Sequence, residues 1–571
     1  MSAQPPPDND YSGGAGEVRV PAVIGVLGAG TMGAGIAQLA ARAGARTLLH
    51  DPIADALARG VQKIEDGLGK EAAKGRLSED EARAAGERLE PAAELAQLAP
   101  CELVIEAAPE RLELKHELYR QLSEIVDERC VLASNTSSLL VTAIAPAASH
   151  PERVVGMHFF NPAPVMRLLE VVAGEQSSPR ALAIADATGR AMGKTVIRAS
   201  DGPGFLVNRS NRPFGLESLR LLQERIADVA TIDRICRMEG GFRMGPFELM
   251  DLVGVDVGFE ISKSFFEQSF GEPRWRPSPI SARYVAAGLH GRKTKRGYYS
   301  YEAGRSADGA PGHRPQDPDP RDAQRPATGE GVIVIAGSGV IAEELRHHAA
   351  QAGYEVRSPH DPTGGVLPAL IVECDRVPAA QEAPADSVSR ELHSQPHTQG
   401  GAHLVLCQAG SLGALDPAGS AVGFHVLAPL EQASLVELTR NDSSSPVAAA
   451  RAERFFAALG KHVEWVGDAP GLVLGRIVCQ VINECAFSLG EGVGSAKDID
   501  TGMVLGLSYP LGPLKWADEL GLDHVLSVLE ALWTEYREER YRPAPALRQL
   551  VAAGRLGRTT GGGFFEYDGD R

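Results

Sequence analysis

Cysteine is scarce in this chain and poorly placed for pairing. Seven cysteines (Cys101, Cys130, Cys236, Cys374, Cys407, Cys479 and Cys485) are scattered over 571 residues, and no two form a CxxC pair. The odd count and wide spacing point to reduced thiols in a cytoplasm, with no metal site expected. An excess of positive charge is also missing. Lys and Arg number 57 against 74 Asp and Glu, a net charge of −17. That excludes nucleic acid and anionic membrane as general partners, although a local basic patch can still meet an anionic small ligand. No apolar run reaches the ~18 residues that cross a bilayer. The opening MSAQPPPDNDYSGGAGE has neither the basic nor the apolar region of a secretory signal. What is present suits a soluble, globular chain, with 43% apolar and 23% charged residues. At ~150 residues per domain, the length corresponds to about four domains.

Residues 1–20 are rich in Pro, Gly and acid and are expected to be disordered. A second such stretch, 303–330, reads as a linker between two halves. The halves repeat each other. His158-Phe159-Phe160-Asn161-Pro162 returns as His425-Val426-Leu427-Ala428-Pro429, Glu170 as Glu437, Asp201-Gly-Pro-Gly-Phe as Asp468-Ala-Pro-Gly-Leu, and Gly245-Pro246 as Gly512-Pro513, all 267 residues on. A constant offset of this kind indicates a tandem duplication. Nearer the start of each half Gly28 matches Gly337, 309 residues on, so the second copy is shorter by 42 residues (309 − 267) between about Asp51 and Leu103. The segment it lacks, Ala56 to Glu94 in copy one, is rich in Ala, Glu, Lys and Arg, the composition of a helical arm.

Val23-Ile24-Gly25-Val26-Leu27 reads as a buried strand. Gly28-Ala29-Gly30-Thr31-Met32-Gly33 follows, then an apolar helical run, then a second strand, Arg46 to His50, that ends at Asp51. Strand, GxGxxG, helix, strand and acid in that order form the dinucleotide-binding fingerprint of a Rossmann domain. Gly28 allows a tight turn, Gly30 lets the backbone approach a pyrophosphate, and Gly33 lets the helix pack on the strand. The helix N-terminus, with Thr31 and Met32 in its first turn, offers free N–H groups to the phosphates. Asp51 would accept hydrogen bonds from ribose hydroxyls and repel a 2′-phosphate, so NAD is favoured over NADP. Copy two keeps only Gly337-Ser338-Gly339-Val340-Ile341-Ala342, with Glu344 in place of Gly35 and His360 in place of Asp51. A glutamate near the phosphates would oppose them, so copy two is expected to have lost dinucleotide binding.

Three further segments carry polar residues in apolar surroundings: Ser134-Asn135-Thr136-Ser137-Ser138 after a strand-like run, His158 at the end of Val154-Val155-Gly156-Met157, and Glu170 inside Leu168 to Val172. A histidine backed by a carboxylate is a general base with an orienting partner. Together GAGTMGAGIAQ, EAAPERLELK, SNTSSL, HFFNPAPVMRLLEVV, DGPGFLVNR, MGPFELMDLVG and GRKTKRGYYSY resemble the L-3-hydroxyacyl-CoA dehydrogenase family. The resemblance covers residues 21–301 nearly end to end and, in degraded form, 331–571.

That resemblance implies NAD-dependent, reversible oxidation of an (S)-3-hydroxyacyl-CoA to the 3-oxoacyl-CoA. It implies an α/β Rossmann domain with a helical arm (21–200), an all-α C-terminal domain (201–302), the linker (303–330), a truncated, degenerate Rossmann-like domain (331–467) and a second helical domain (468–571). His158 matches the family's base and Glu170 its partner. Ser137 matches the serine that bonds the substrate oxygen beside the nicotinamide, and Asn208 an asparagine that holds the developing oxyanion. Glu110, Lys115, Asn161 and Lys293 match positions that touch NAD, and Lys74 matches a CoA-contacting lysine on the arm. Near Gly67 the family's arm serine is replaced.

In copy two His425 and Glu437 persist. A local offset of 273 puts Gly410 at the place of Ser137, while Asn208 falls on Gly475, Asn161 on Ala428 and Lys293 on Thr559. Copy two is therefore expected to be catalytically silent. Its helical domain, whose family counterpart forms the dimer surface, is expected to pack on that of copy one as an internal pseudo-dimer, with further homo-oligomers open. The implied partner is an acyl-CoA thioester in fatty-acid or aromatic (phenylacetate-type) degradation. The competing readings are a non-catalytic NAD- or acyl-CoA-binding protein and a dehydrogenase of a free hydroxy acid.

Overall fold

Short β-branched runs alternate with amphipathic helices through the front half. A computed structural model of the chain describes residues 19–301, 317–319, 328–359, 366–378, 402–417 and 419–567. The predicted tail and most of the predicted linker lie outside them, as does His360.

The first sheet has eight strands: β1 (Val23–Leu27), β2 (Arg46–His50), β3 (Leu89–Ala92), β4 (Leu103–Glu106), β5 (Val131–Ser134), β6 (Val154–Phe159), β7 (Leu168–Ala173) and β8 (Thr195–Ser200). Their order is β3-β2-β1-β4-β5-β6-β7-β8. All neighbours run parallel except β6 and β7, which pair antiparallel with His158 opposite Glu170. The strands are buried on both faces, as a parallel sheet covered by helices requires. The chain reverses direction of winding between β1 and β4, so the carboxyl ends of those strands bound the crevice where such sheets bind ligands.

The second sheet has seven strands: β9 (Val332–Ala336), β10 (Glu355–Arg357), β11 (Leu370–Glu373), β12 (Ala402–Leu406), β13 (Val422–His425), β14 (Leu435–Thr439) and β15 (His462–Val466), in the order β10-β9-β11-β12-β13-β14-β15. It repeats the first sheet without a counterpart of β3. The segment expected to be a helical arm is two helices, Ala54–Ala73 and Glu79–Glu87, followed by β3 at the sheet edge. The deletion in copy two thus removes an edge strand as well as the arm.

The described residues fall in two compact units. One is Met1–Arg209 with Glu491–Leu507, the other Ser210–Gly490 with Ser508–Arg571. Each unit is therefore built from both copies. In the first, helix Ala496–Leu507 of copy two lies against β7 and β8 of copy one. In the second, helix Val229–Met238 of copy one lies against β14 of copy two. Residues 267 apart exchange partners: Arg209 pairs with Glu491 at 2.5 Å in the first unit, and Arg476 with Glu224 at 2.7 Å in the second. The Arg476 guanidinium, fully buried, also meets Glu217 and the hydroxyls of Tyr536 and Tyr541, which satisfy its donors.

Candidate active site

The glycine loop is shaped by close backbone contacts. Gly28 has φ +100° and its N–H donates to His50 O at 2.8 Å. A Cβ on Gly28 would press on Ala107 O, and one on Gly33 would collide with Gly28 O. Around Gly30 nothing lies within 4 Å of where a Cβ would be, and no side chain caps helix Thr31–Arg42. The first-turn N–H groups therefore open on free space, which fits the pyrophosphate of a dinucleotide. Asp51 takes the Ala29 N–H at 2.9 Å and the Ile53 N–H at 3.0 Å, so its carboxylate fixes the loop from the end of β2 while each oxygen retains a lone pair for a ribose. A cavity of about 390 Å³ begins beside it, lined by Leu57, Val61 and Pro91 among others. Lys63, reaching from the arm to the Thr31 hydroxyl at 3.1 Å, brings a cation to the helix start that motif reading did not single out.

The loop after β5 is tied from below. Glu106, fully buried, accepts from Lys115 at 2.8 Å on both oxygens and from the Ser134 hydroxyl at 2.7 Å. Lys115 is fully buried too and lies 3.3 Å from Glu110. Glu110 accepts from the Thr136 hydroxyl at 2.5 Å and from the N–H groups of Ser137 and Ser138, each at 3.0 Å. Burial pushes the Glu110 carboxyl up, but Lys115, Thr136 and the two N–H groups outweigh it and hold it below the usual carboxylate range. The Lys115 ammonium thus fixes Glu110, and Glu110 holds the Ser137 loop. Ser137 itself is exposed.

His158 closes β6, next to β5 and parallel to it. Its Nδ1 lies 2.6 Å from Glu170 Oε2. The other oxygen, Oε1, accepts the Leu206 N–H at 3.2 Å and the Val207 N–H at 3.0 Å. With Oε1 held by those two N–H groups, Oε2 is turned to accept from the ring. Nδ1 is then the protonated nitrogen, and Nε2 is left to receive a proton. The ring sits between Phe160, with centroids 4.7 Å apart, and Phe205, at 5.8 Å. Phe205 holds φ +52°, a strained value that turns the next two N–H groups onto Glu170. Asn208, half-buried, stands one residue beyond Val207 on that same turn.

Not every expected residue joins these clusters. Asn161 is exposed in the turn after β6. Lys74 is exposed at the end of helix Ala54–Ala73. Lys293 lies in the second unit and pairs with Asp256 at 2.6 Å. At Gly67 a Cβ would meet the Gln38 side chain at 2.5 Å, so a small residue suits the arm's docking there. Lys194 was missed. Buried, it donates to Ala163 O at 2.5 Å and Met166 O at 2.7 Å, bracing the loop after His158. Its signal was the repeat itself, since Lys461, 267 residues on, braces Leu430 O and Ala433 O in the same way.

Copy two departs from this geometry. His425 is fully buried, and neither ring nitrogen has a hydrogen-bond partner. A Cβ at Gly475, the counterpart of Asn208, would overlap the His425 ring. The imidazole has moved into the space an asparagine would fill, toward His524, 5.4 Å away. Burial, with His524 nearby, holds His425 well below the ordinary histidine range, and burial pushes His524 down to about 4. Glu437 still accepts two N–H groups, from Val473 and Leu474, each at 2.8 Å. Its neighbour is now Glu239, a second buried carboxyl. Burial pushes Glu437 up to about 8, and burial and the Glu437 charge push Glu239 well above the carboxylate range.

Two expectations about copy two are corrected. Sheet register pairs Ser134 with Gly156 and Val405 with Gly423, so the offset at this loop is 271 rather than 273, and Gln408 rather than Gly410 stands at the place of Ser137. Glu344 does not face a phosphate site. It accepts the Leu430 N–H at 2.6 Å, the counterpart of Gly35 packing on Ala163. The glycine loop is instead occupied by Arg346, whose guanidinium donates to Gly337 O and to Ile335 O.

Known proteins are similar to this chain over most of its length. The family described as 3-hydroxyacyl-CoA dehydrogenase, NAD binding domain, matches residues 23–202, and its C-terminal domain matches both 204–301 and 471–567. The 3-hydroxyadipyl-CoA dehydrogenase of Escherichia coli (strain K12) is 34% identical over 526 residues, 92% of this chain and 96% of that protein. A probable 3-hydroxybutyryl-CoA dehydrogenase of Deinococcus radiodurans is 40% identical over 278 residues, 49% of this chain and 99% of that one. A crystal structure of 3-hydroxybutyryl-CoA dehydrogenase from Escherichia coli K12 substr. MG1655 aligns with a TM-score of 0.73 at 33% identity, covering 94% of this chain and 100% of that one. The chain thus belongs to the NAD-dependent 3-hydroxyacyl-CoA dehydrogenases.

Proposed function

We propose that copy one carries the single active site and that copy two is catalytically silent. The observation that carries this is the contrast between two equivalent pairs: His158 Nδ1 is held at 2.6 Å by Glu170, whereas His425 has no hydrogen-bond partner and Glu437 faces Glu239. NAD⁺, when bound, supplies the hydride acceptor, and Gly28, Gly30, Gly33, Asp51 and the Ser137 loop are the residues that would hold it. At His158, Nε2 takes the hydroxyl proton of the 3-hydroxyacyl substrate. Glu170 keeps the ring in the tautomer with Nε2 unprotonated and balances the imidazolium that forms, which in a dry crevice would otherwise be costly. Ser137 and Asn208 orient the oxygen and stabilise its developing charge. Lys74 on the arm meets the CoA phosphates, and Asn161 contributes to NAD binding.

The substrate is an acyl-CoA thioester. Likeness to 3-hydroxyadipyl- and 3-hydroxybutyryl-CoA dehydrogenases supports a short or carboxylate-ended acyl chain, in fatty-acid or aromatic degradation. The crossed pairs Arg209–Glu491 and Arg476–Glu224 support the internal pseudo-dimer, because an isologous contact is one in which equivalent residues trade partners. The test is NADH oxidation with acetoacetyl-CoA and with 3-oxoadipyl-CoA. His158→Ala should abolish turnover with NAD binding retained, and His425→Ala should leave kcat within a factor of two. A large loss of kcat in folded His425→Ala would place chemistry in copy two. Absence of turnover on every CoA ester would favour a binding protein, and turnover of free hydroxy acids would favour the third reading.

A further inference from the structure

We propose that Glu491, contributed by copy two, is a positioning residue for the His158–Glu170 pair of copy one. The inference rests on the assignment of the chemistry to copy one. The linkage is short. Glu491 Oε2 lies 2.5 Å from the Arg209 guanidinium, which is buried. Arg209 belongs to the turn Val207–Ser210, whose first N–H donates to Glu170 Oε1 at 3.0 Å. Glu170 in turn holds His158 Nδ1. An ion pair at the far side of one helical turn thus sets the position of two of the three donors that orient the carboxylate.

The residues after Glu491 clamp the same turn. The Ser200 hydroxyl and N–H donate to Gly492 O and Val493 O, at 3.0 and 2.8 Å. A Cβ on Gly494 would press on Leu206 at 2.8 Å, one on Gly502 on Val207 at 2.7 Å, and one on Gly506 on Leu168 at 2.8 Å and Phe160 at 3.3 Å. Leu206 and Val207 are the two residues whose N–H groups grip Glu170, and Phe160 packs on the His158 ring. Gly494, just before helix Ala496–Leu507, and Gly502 and Gly506 within it therefore bring copy two into contact with the residues that frame the base. The equivalent of Gly506 in copy one is Glu239, the residue that stands beside Glu437. The same position thus leaves one pair undisturbed and sets a second carboxyl against the other.

The experiment uses the full chain. Glu491→Ala should lower kcat by about ten- to hundredfold, the loss expected when a catalytic group is misplaced by a fraction of an ångström to one ångström, with KM for NADH unchanged. The primary deuterium isotope effect on kcat should rise, because hydride transfer becomes slower relative to product release. Glu491→Gln, which keeps an acceptor for Arg209, should recover most of the rate. Gly506→Ala, which adds a methyl against Phe160 without touching the ion pair, should show the same kcat-against-KM split. Wild-type kcat and isotope effect in folded Glu491→Ala would overturn the proposal, as would a rate loss in Glu491→Ala and Gly506→Ala that only tracks lost thermal stability. Should His158→Ala be dead and His425→Ala active while the Glu491 variants are unaffected, this inference alone fails and the single-site reading stands.

Discussion

A carboxylate with three hydrogen-bond donors is what separates His158 from His425. Glu170 takes Nδ1 and two backbone N–H groups, and the imidazole keeps Nε2 for the proton transfer proposed for it. A positioned general base contributes about 10²–10⁴-fold, so His158→Ala should cost at least about a hundredfold in kcat, measured at saturating NAD. Glu170→Gln should cost a comparable factor while the protein stays folded, because the amide still accepts from the turn but no longer balances an imidazolium. Asp51 acts on binding instead. A hydrogen bond to a charged group contributes about 1.5–3 kcal/mol, so Asp51→Ala should raise KM for NAD by about ten- to hundredfold and leave kcat nearly unchanged. A steady-state titration of NAD at fixed substrate separates these effects, and a fall in kcat with unaltered KM would refute the role given to Asp51.

At the scale of elements, one helix end decides the fate of a whole site. Helix Val229–Met238 delivers Glu239 to Glu437, and burial pushes Glu437 up from 4.5 to about 8. A carboxyl whose value is raised on folding is favoured in its protonated form. It stabilises the native state fully below about 4.5, and that contribution is lost as pH rises toward 8. Glu239→Gln should therefore flatten the decline of Tm between pH 5.5 and 8.5 and raise Tm at the alkaline end. Melting curves of the two proteins that stay parallel across that range would disprove the coupling. His524 runs the other way. Held down to about 4 by burial, it favours the folded state above 6.5, and that share is lost as pH falls toward 4.

For the molecule as a whole, the sequence repeat and the spatial units do not coincide. Copy two completes the unit that holds the His158–Glu170 pair, and copy one completes the other. Leu168, Leu206 and Val207 are covered by the segment Glu491–Leu507, and each such side chain loses about 1.5–3 kcal/mol when left exposed. A fragment of residues 1–302 should therefore melt several degrees below the full chain or self-associate to cover the same face, as sedimentation and thermal denaturation would report. A monomeric, fully stable fragment would remove the basis of the pseudo-dimer. No described helix is long and apolar enough to cross a membrane.

The sequence by itself determined the glycine loop, the pairing of His158 with Glu170, the duplication and the deletion, because each is written in local spacing: a turn needs its glycines, a strand its alternation, and a repeat its constant offset. The strand β3 hidden at the end of the arm was less legible, since Leu89–Ala92 is short and carries Glu90 and Pro91, both poor strand formers, beside helix-forming residues. Only the tertiary structure decided which residues meet across hundreds of positions. It paired Glu491 with Arg209, set Glu239 against Glu437, turned Glu344 away from the loop and put Arg346 into it. It also shifted the counterpart of Ser137 by two residues, because hydrogen-bond register, not loop length, says which residues are equivalent. These outcomes depend on packing and burial between distant segments, which spacing along a chain does not encode.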